Sequence, residues 1–224
     1  MKNLVVIFFI LFSGLVFSQE EKEQAVDSLY REDQFYATIT YNLFQNRPSG
    51  YSQHSLSSGI SFGFLRDMPI NKLRTWAIAA GFGYSYNNLK NNIKVDNTTP
   101  EISYSIDNTF DKNKLVLHQL ELPIEIRWRN STFESHKFWR IYTGFKISYL
   151  FADKAVFKSQ TQDITVRNNK DMSKIKYGTY ISVGNNTGNI YLYYALSPLF
   201  KDVKLNEEKL KLSSFNIGFV FYIL

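Results

Sequence analysis

Between Val116 and Trp128 the even positions are bulky: Val116, His118, Leu120, Leu122, Ile124, Ile126 and Trp128. The odd positions, Leu117 excepted, are polar or small: Gln119, Glu121, Pro123, Glu125 and Arg127. A period of two makes this a strand with two chemically opposite faces. After a polar turn at 130–137 the alternation resumes. Trp139, Ile141, Thr143, Phe145, Ile147, Tyr149 and Phe151 lie on one face, and Arg140, Tyr142, Gly144, Lys146 and Ser148 on the other. The pair predicts an antiparallel hairpin.

Which face points inward decides the class of protein. In a water-soluble sandwich or lipocalin-type barrel the bulky face would be the core. An eight-stranded interior, however, has room only for packed side chains or one small ligand. So many Phe, Tyr, Trp, Ile and Leu would overfill it, and a Gly and Ser face would have no purpose outside. With Glu121, Glu125, Arg127, Arg140, Lys146 and Gly144 turned inward and the bulky face turned to lipid, the hairpin fits a membrane-spanning barrel.

Six further alternating segments flank the hairpin, at about 35–44, 55–65, 75–86, 175–184, 189–197 and 213–224. In the third, Trp76, Ile78, Phe82, Tyr84 and Tyr86 face out, with only small residues between them. Each segment approaches the 9–11 residues that cross a bilayer obliquely. The expected fold is all-β: an eight-stranded antiparallel up-and-down transmembrane β-barrel of OmpA/OmpX size. The connections, at 46–54, 66–72, 87–114, 130–137, 152–174, 185–188 and 198–211, include three long ones, all on one side if counted alternately. Long outer loops and tight periplasmic turns are the habit of such barrels, so both ends of the barrel are expected in the periplasm. Trp76, Trp128 and Trp139 then share the periplasmic rim as an interfacial aromatic belt. Tyr84, Tyr86, Tyr149, Phe151 and Phe200 are expected near the outer rim.

The amino-terminal Lys2 followed by the apolar run Leu4–Phe12, extended by Leu15–Phe17, is too short to span a membrane and fits a signal peptide. Cleavage is expected after Ser18. The domain reading is a signal peptide at 1–18, a charged periplasmic lead-in at 19–33 and an outer-membrane barrel at 34–224. With no cysteine among 224 residues, a lipidated cysteine and a disulfide framework are both excluded. The net charge of +6 is spread over loops and lumen positions without a basic helix or RNA-binding signature, so nucleic acid is not an expected partner. Loop lysines suit anionic lipopolysaccharide.

Nothing in the sequence gathers chemistry. His54 belongs to the first outer loop, His118 to the lipid-side parity near the outer rim and His136 to a periplasmic turn; a barrel hydrolase would need histidine grouped with Asp or Ser at the outer rim. No catalytic, cofactor or metal residue is expected, and the chain reads as a non-enzyme. The inward charges read as a sealing network. A hairpin turn centred between Phe133 and Glu134 would set Glu121 opposite Lys146 and Arg127 opposite Arg140, with Glu125 diagonal to Arg140.

The phrase Leu120-Glu121-Leu122-Pro123-Ile124-Glu125-Ile126-Arg127, followed after a turn by Tyr142-Thr143-Gly144-Phe145, resembles the Pro-containing strand and Gly-containing next strand of the PorT-like outer-membrane β-barrel family of Bacteroidetes. The resemblance spans about 34–224 and implies an outer-membrane barrel with type IX secretion or gliding machinery as partner. The last strand, with Asn216, Gly218, Phe221 and Ile223, resembles the signal read by Bam-type assembly machinery, although it ends on Leu224 and not on an aromatic residue. The functional expectation is a scaffold or accessory of an envelope complex. The alternative is a small porin-like or adhesion barrel that binds solutes or surfaces through its loops.

Overall fold

The structure, a computed structural model, describes residues 33–53, 55–130, 139–205 and 208–223. The expected signal peptide, most of the lead-in, His54 and His136 lie outside the described residues. The strands are β1 (Gln34–Gln45), β2 (Ser58–Pro69), β3 (Trp76–Leu89), β4 (Ile93–Asp96), β5 (Ser103–Ile106), β6 (Lys112–Arg129), β7 (Trp139–Lys158), β8 (Asp163–Arg167), β9 (Ile175–Asn185), β10 (Gly188–Ala195), β11 (Lys204–Leu205), β12 (Glu208–Lys209) and β13 (Ser213–Ile223).

Eight of these close a barrel. The hydrogen-bonded order runs β6-β3-β2-β1-β13-β10-β9-β7, and β6 pairs with β7 to complete the ring. Every pairing is antiparallel. Closure leaves the barrel no free edge, as a lipid solvent demands, since an unpaired amide has no partner in hydrocarbon. Pro123, which has no amide hydrogen, stands at the gap in the β3–β6 ladder between Ala80↔Ile124 and Gly83↔Glu121. Asn186, at φ 59°, makes the tight turn between β9 and β10, a left-handed conformation that Asn tolerates.

The two faces divide as the alternation requires. Exposed large side chains ring the outside on every barrel strand, among them Ile39, Phe62, Phe82, Leu122, Phe145, Ile181, Leu192 and Phe219. Trp76 stands opposite Trp128, and Trp128 opposite Ile141, at the end where the short connections lie. Trp139 pairs with Asn185 at that same end.

Several details differ from the sequence reading. β2 starts at Ser58, which leaves Leu56 in a loop, and it runs on to Pro69 through what the alternation assigns to a turn. β6 and β7 extend well above the expected rim, to Lys112 and Lys158. Their ladder slips where Gln119↔Leu150 is followed by His118↔Ala152, so Phe151 is an extra residue in a β-bulge. The long connections are themselves folded: β4 pairs with β5, β8 extends the edge of β7, and β11 pairs with β12.

The hairpin register is also shifted by two residues. Glu121 faces Ser148, Lys146 faces Pro123, Arg127 faces Tyr142 and Arg129 faces Arg140. The expected Arg127–Arg140 opposition therefore does not arise.

Candidate functional site

The interior is built in layers from the short-connection end upward. Lowest is an ion cluster on β2 and β6. The Asp67 carboxylate, fully buried, accepts from Arg127 Nη1 at 3.0 Å and from Arg129 Nη1 and Nη2 at 3.0 and 2.9 Å. Arg127 also donates Nε to Glu125 at 2.7 Å. Arg140 is buried at the same level, opposite Arg129. Alternation puts Asp67 and Arg129 on the inward parity, but the sequence reading ended the strand at Trp128 and placed Asp67 in a turn, so it missed the anchor of the cluster.

Tyrosines fill the next layer. Tyr180 donates its hydroxyl to Glu125 Oε1 at 2.9 Å and Tyr222 does so at 3.3 Å. The Arg127 guanidinium lies 4.8 Å from the centre of the Tyr142 ring. Glycines on neighbouring strands make room: a Cβ on Gly144 would meet Tyr180 Cζ at 2.6 Å, and one on Gly63 would meet Tyr36 Cε1 at 2.7 Å. A void of about 20 Å³ is left at this level, about the room one water needs. The inward face is thus glycine and serine in the backbone's immediate neighbourhood and phenol rings in the middle.

Above the tyrosines, Lys146 Nζ lies 3.0 Å from Glu121 Oε1 and 4.7 Å from the centre of the Tyr193 ring. The two residues meet diagonally, through long side chains, and not as directly opposed partners. Glu121, Glu125, Arg127, Arg140 and Lys146 all lie in the barrel interior.

Over this plug sits a small polar chamber, and over the chamber an apolar cap. Phe44, Leu89, Leu117 and Leu150 from the barrel strands join Ile93, Val95, Phe157, Ile164, Val166, Met172, Leu199, Phe200, Val203, Leu210 and Leu212 in one buried cluster. Phe200, placed by sequence at the outer rim, belongs to this core and packs edge-on against Tyr104. Val116, placed on the lipid face, lies above the band and is buried. Tyr104 also donates to Asp171 Oδ2 at 2.9 Å and accepts from Asn169 at 2.8 Å, and burial pushes its phenol pKa up. In the β5–β6 connection the hydroxyl and amide of Thr109 hold the Asp107 carboxyl below the usual carboxylate range. The loops are therefore welded into a head with a core of its own.

No catalytic constellation stands out among these groups. His118 Nδ1 is 2.7 Å from the Tyr84 hydroxyl, and its ring packs against Tyr84, Tyr86 and Phe151 on the outer wall. Among the described residues no three His, Cys, Asp or Glu side chains gather as metal ligands, and no helix is long and apolar enough to cross a membrane.

A closed antiparallel barrel with an apolar exterior and a plugged polar interior defines the class of small outer-membrane barrels. The chain belongs to the outer membrane protein beta-barrel domain family, whose model matches residues 17–201. It is accordingly an outer-membrane protein. No curated protein matches it in sequence. Among solved structures it is similar to Ail, the attachment invasion locus protein of Yersinia pestis, with a TM-score of 0.42, 11% identity and coverage of 87% of this chain and 100% of that one. A second structure of Ail, in complex with the heparin analogue sucrose octasulfate, gives a TM-score of 0.43, also at 11% identity and the same coverage.

Proposed function

We propose that the protein is a non-enzymatic scaffold or accessory of an outer-membrane complex and presents its folded outer head as the contact surface. The observation that carries this reading is the combination of a filled lumen with loops joined through one apolar core. A transporter needs a path, and a barrel interior filled by an ion cluster and tyrosines beneath ordered loops suits binding instead. The plug speaks against the porin-like half of the alternative. Adhesion through the head remains the second reading.

In this arrangement the connections at 46–57, 90–111, 159–174 and 196–212 are extracellular, and Gln34 and Ile223 mark the periplasmic end of the barrel. Export through the amino-terminal apolar segment and insertion by Bam-type machinery complete the picture. The sequence likeness to PorT-like barrels makes type IX secretion and gliding machinery the first complex to test.

Lipopolysaccharide is the proposed lipid partner. Lys90, Lys112 and Lys154 lie within electrostatic reach of Lys114, and Lys154 pairs across from Arg167. This basic wall sits just above the Tyr84, His118 and Phe151 ring, at the height where lipid phosphates would lie. Crosslinking of intact cells followed by purification of the barrel tests the main reading. A stable secretion-system partner supports it, and a solitary barrel that still binds surfaces through its head supports adhesion instead.

A further inference from the structure

Between the Lys146–Glu121 pair below and Leu89, Leu117 and Leu199 above, the barrel holds a polar cavity of about 50 Å³. At roughly 10–15 Å³ per enclosed water, that is room for a few waters or for one small ion with part of its hydration shell. Lys176 lines this cavity. It is 8% exposed, and among the described residues its ammonium has no hydrogen-bond partner. A buried charge left in that condition is costly.

The surrounding charges do not balance it. Glu121 is committed to Lys146 at 3.0 Å. The charged groups acting on Lys176 from the layer above are Asp153 and Lys174. Those two already face each other at 3.9 Å, and Asp153 also accepts from the Asn169 amide at 2.9 Å. The Lys174 side chain is 37% exposed and shares its charge with solvent, while the buried Asp153 acts on Lys176 only across a distance: among the described residues no carboxylate pairs with the Lys176 ammonium. In the row shared by β6, β7 and β9, Ser148 alone stands between Glu121 and Lys176, so that row sets a hydroxyl, and no carboxylate, directly beside the ammonium.

We propose that this chamber is a binding site for one small monovalent anion of halide size, held by the Lys176 ammonium and enclosed when the head folds over the barrel. The anion supplies the partner that the ammonium lacks. Waters that share the cavity with it would serve the unpartnered Glu121 Oε2 and Asn216 Oδ1. The site is independent of the scaffold reading, since it would exist whatever the head contacts.

Bromide is the probe. The full chain is refolded in detergent in sodium bromide and crystallised, and diffraction is collected at the bromine edge. An anomalous peak within hydrogen-bonding distance of Lys176 Nζ is expected, and a chamber that holds only water overturns the proposal. In parallel, the unfolding midpoint is measured in bromide and in gluconate at equal ionic strength, which holds screening constant. For the unaltered protein the midpoint should rise with bromide, with the folding constant gaining about tenfold at a bromide concentration about ten times the Kd. Lys176→Met should abolish that dependence, and equal bromide dependence in the two proteins would overturn the assignment. Should Lys176→Met fail to fold, the anomalous map of the unaltered protein decides alone.

Discussion

Asp67→Asn removes one negative charge from the base of the plug and almost nothing else. The amide keeps the carboxylate's shape and one acceptor oxygen, but it can no longer compensate two guanidinium groups that donate three hydrogen bonds to it at 2.9–3.0 Å. All three side chains are fully buried, so water cannot take over. Breaking one member of a buried, hydrogen-bonded ion cluster costs about 3–5 kcal/mol. At about 1.4 kcal/mol per tenfold, that is a loss of about two to three and a half orders of magnitude in the folding constant. The three tryptophans supply the assay: Trp128 lies between Arg127 and Arg129 in sequence, and Trp76 is its cross-strand neighbour. Urea titration in lipid vesicles, followed by tryptophan emission, should show the Asp67→Asn midpoint well below that of the unaltered protein. Asp202→Asn is the internal control, because its partner Lys209 is at 2.8 Å but the pair is solvent-exposed, where ion pairs contribute little. If Asp67→Asn unfolds at the same urea concentration as the control, the cluster does not hold the barrel shut and the account of the plug is wrong.

Smaller effects are expected elsewhere. Glu121→Gln leaves Lys146 its 3.4 Å contact with the Tyr191 hydroxyl and the Tyr193 ring, so the loss should be about 1–3 kcal/mol; an unchanged thermal midpoint would argue that the diagonal pair contributes nothing. Gly144→Ala forces a Cβ to within 2.6 Å of Tyr180 and 2.7 Å of the Ile124 carbonyl and should cost about 1–3 kcal/mol. Gly188→Ala, whose nearest neighbour would be Phe221 at 3.9 Å, should leave the urea midpoint unmoved. Phe157→Ala opens the apolar cap at a cost of about 3–5 kcal/mol. Limited proteolysis should then cut the 90–111 and 159–174 connections while the barrel strands stay protected, and cleavage spread evenly along the chain would show that cap and barrel do not unfold separately.

The barrel itself was legible because its evidence repeats. Eight alternating segments and the placement of Trp76, Trp128 and Trp139 point to one arrangement, and no single boundary has to be right for it to stand. Leu117 marks where that reading ran out. Below it the inward parity of β6 is polar, and from Leu117 upward it is Leu117 and Leu115, both in the cap. Alternation reports that two faces differ, but not that the medium outside has changed from hydrocarbon to water. An inward leucine in an otherwise polar-inside strand was the sign of that change, and it looked like an exception.

The same logic explains why the faces were right while the pairings were not. A slip of one residue exchanges the two sides of a strand and would have placed Glu121 and Lys146 against lipid. A slip of two preserves every side chain's direction, so the period cannot detect it. The register reading centred the hairpin one residue too early, which moved each partner by two and turned Glu121↔Ser148 into Glu121↔Lys146. The ion pair survives because Lys146 and Glu121 are long enough to meet on the diagonal at 3.0 Å. The supposed Arg127–Arg140 repulsion does not survive, because it required direct opposition. Asp67 was lost for a related reason: Arg66, Asp67 and Pro69 look like turn chemistry, yet the inward parity of Gly59, Ser61, Gly63 and Leu65 continues through Asp67 to meet the two arginines. Composition argued for a turn there, whereas two guanidinium groups on the neighbouring face need a buried carboxylate, and that need is visible only once β2 and β6 share one barrel wall with β3.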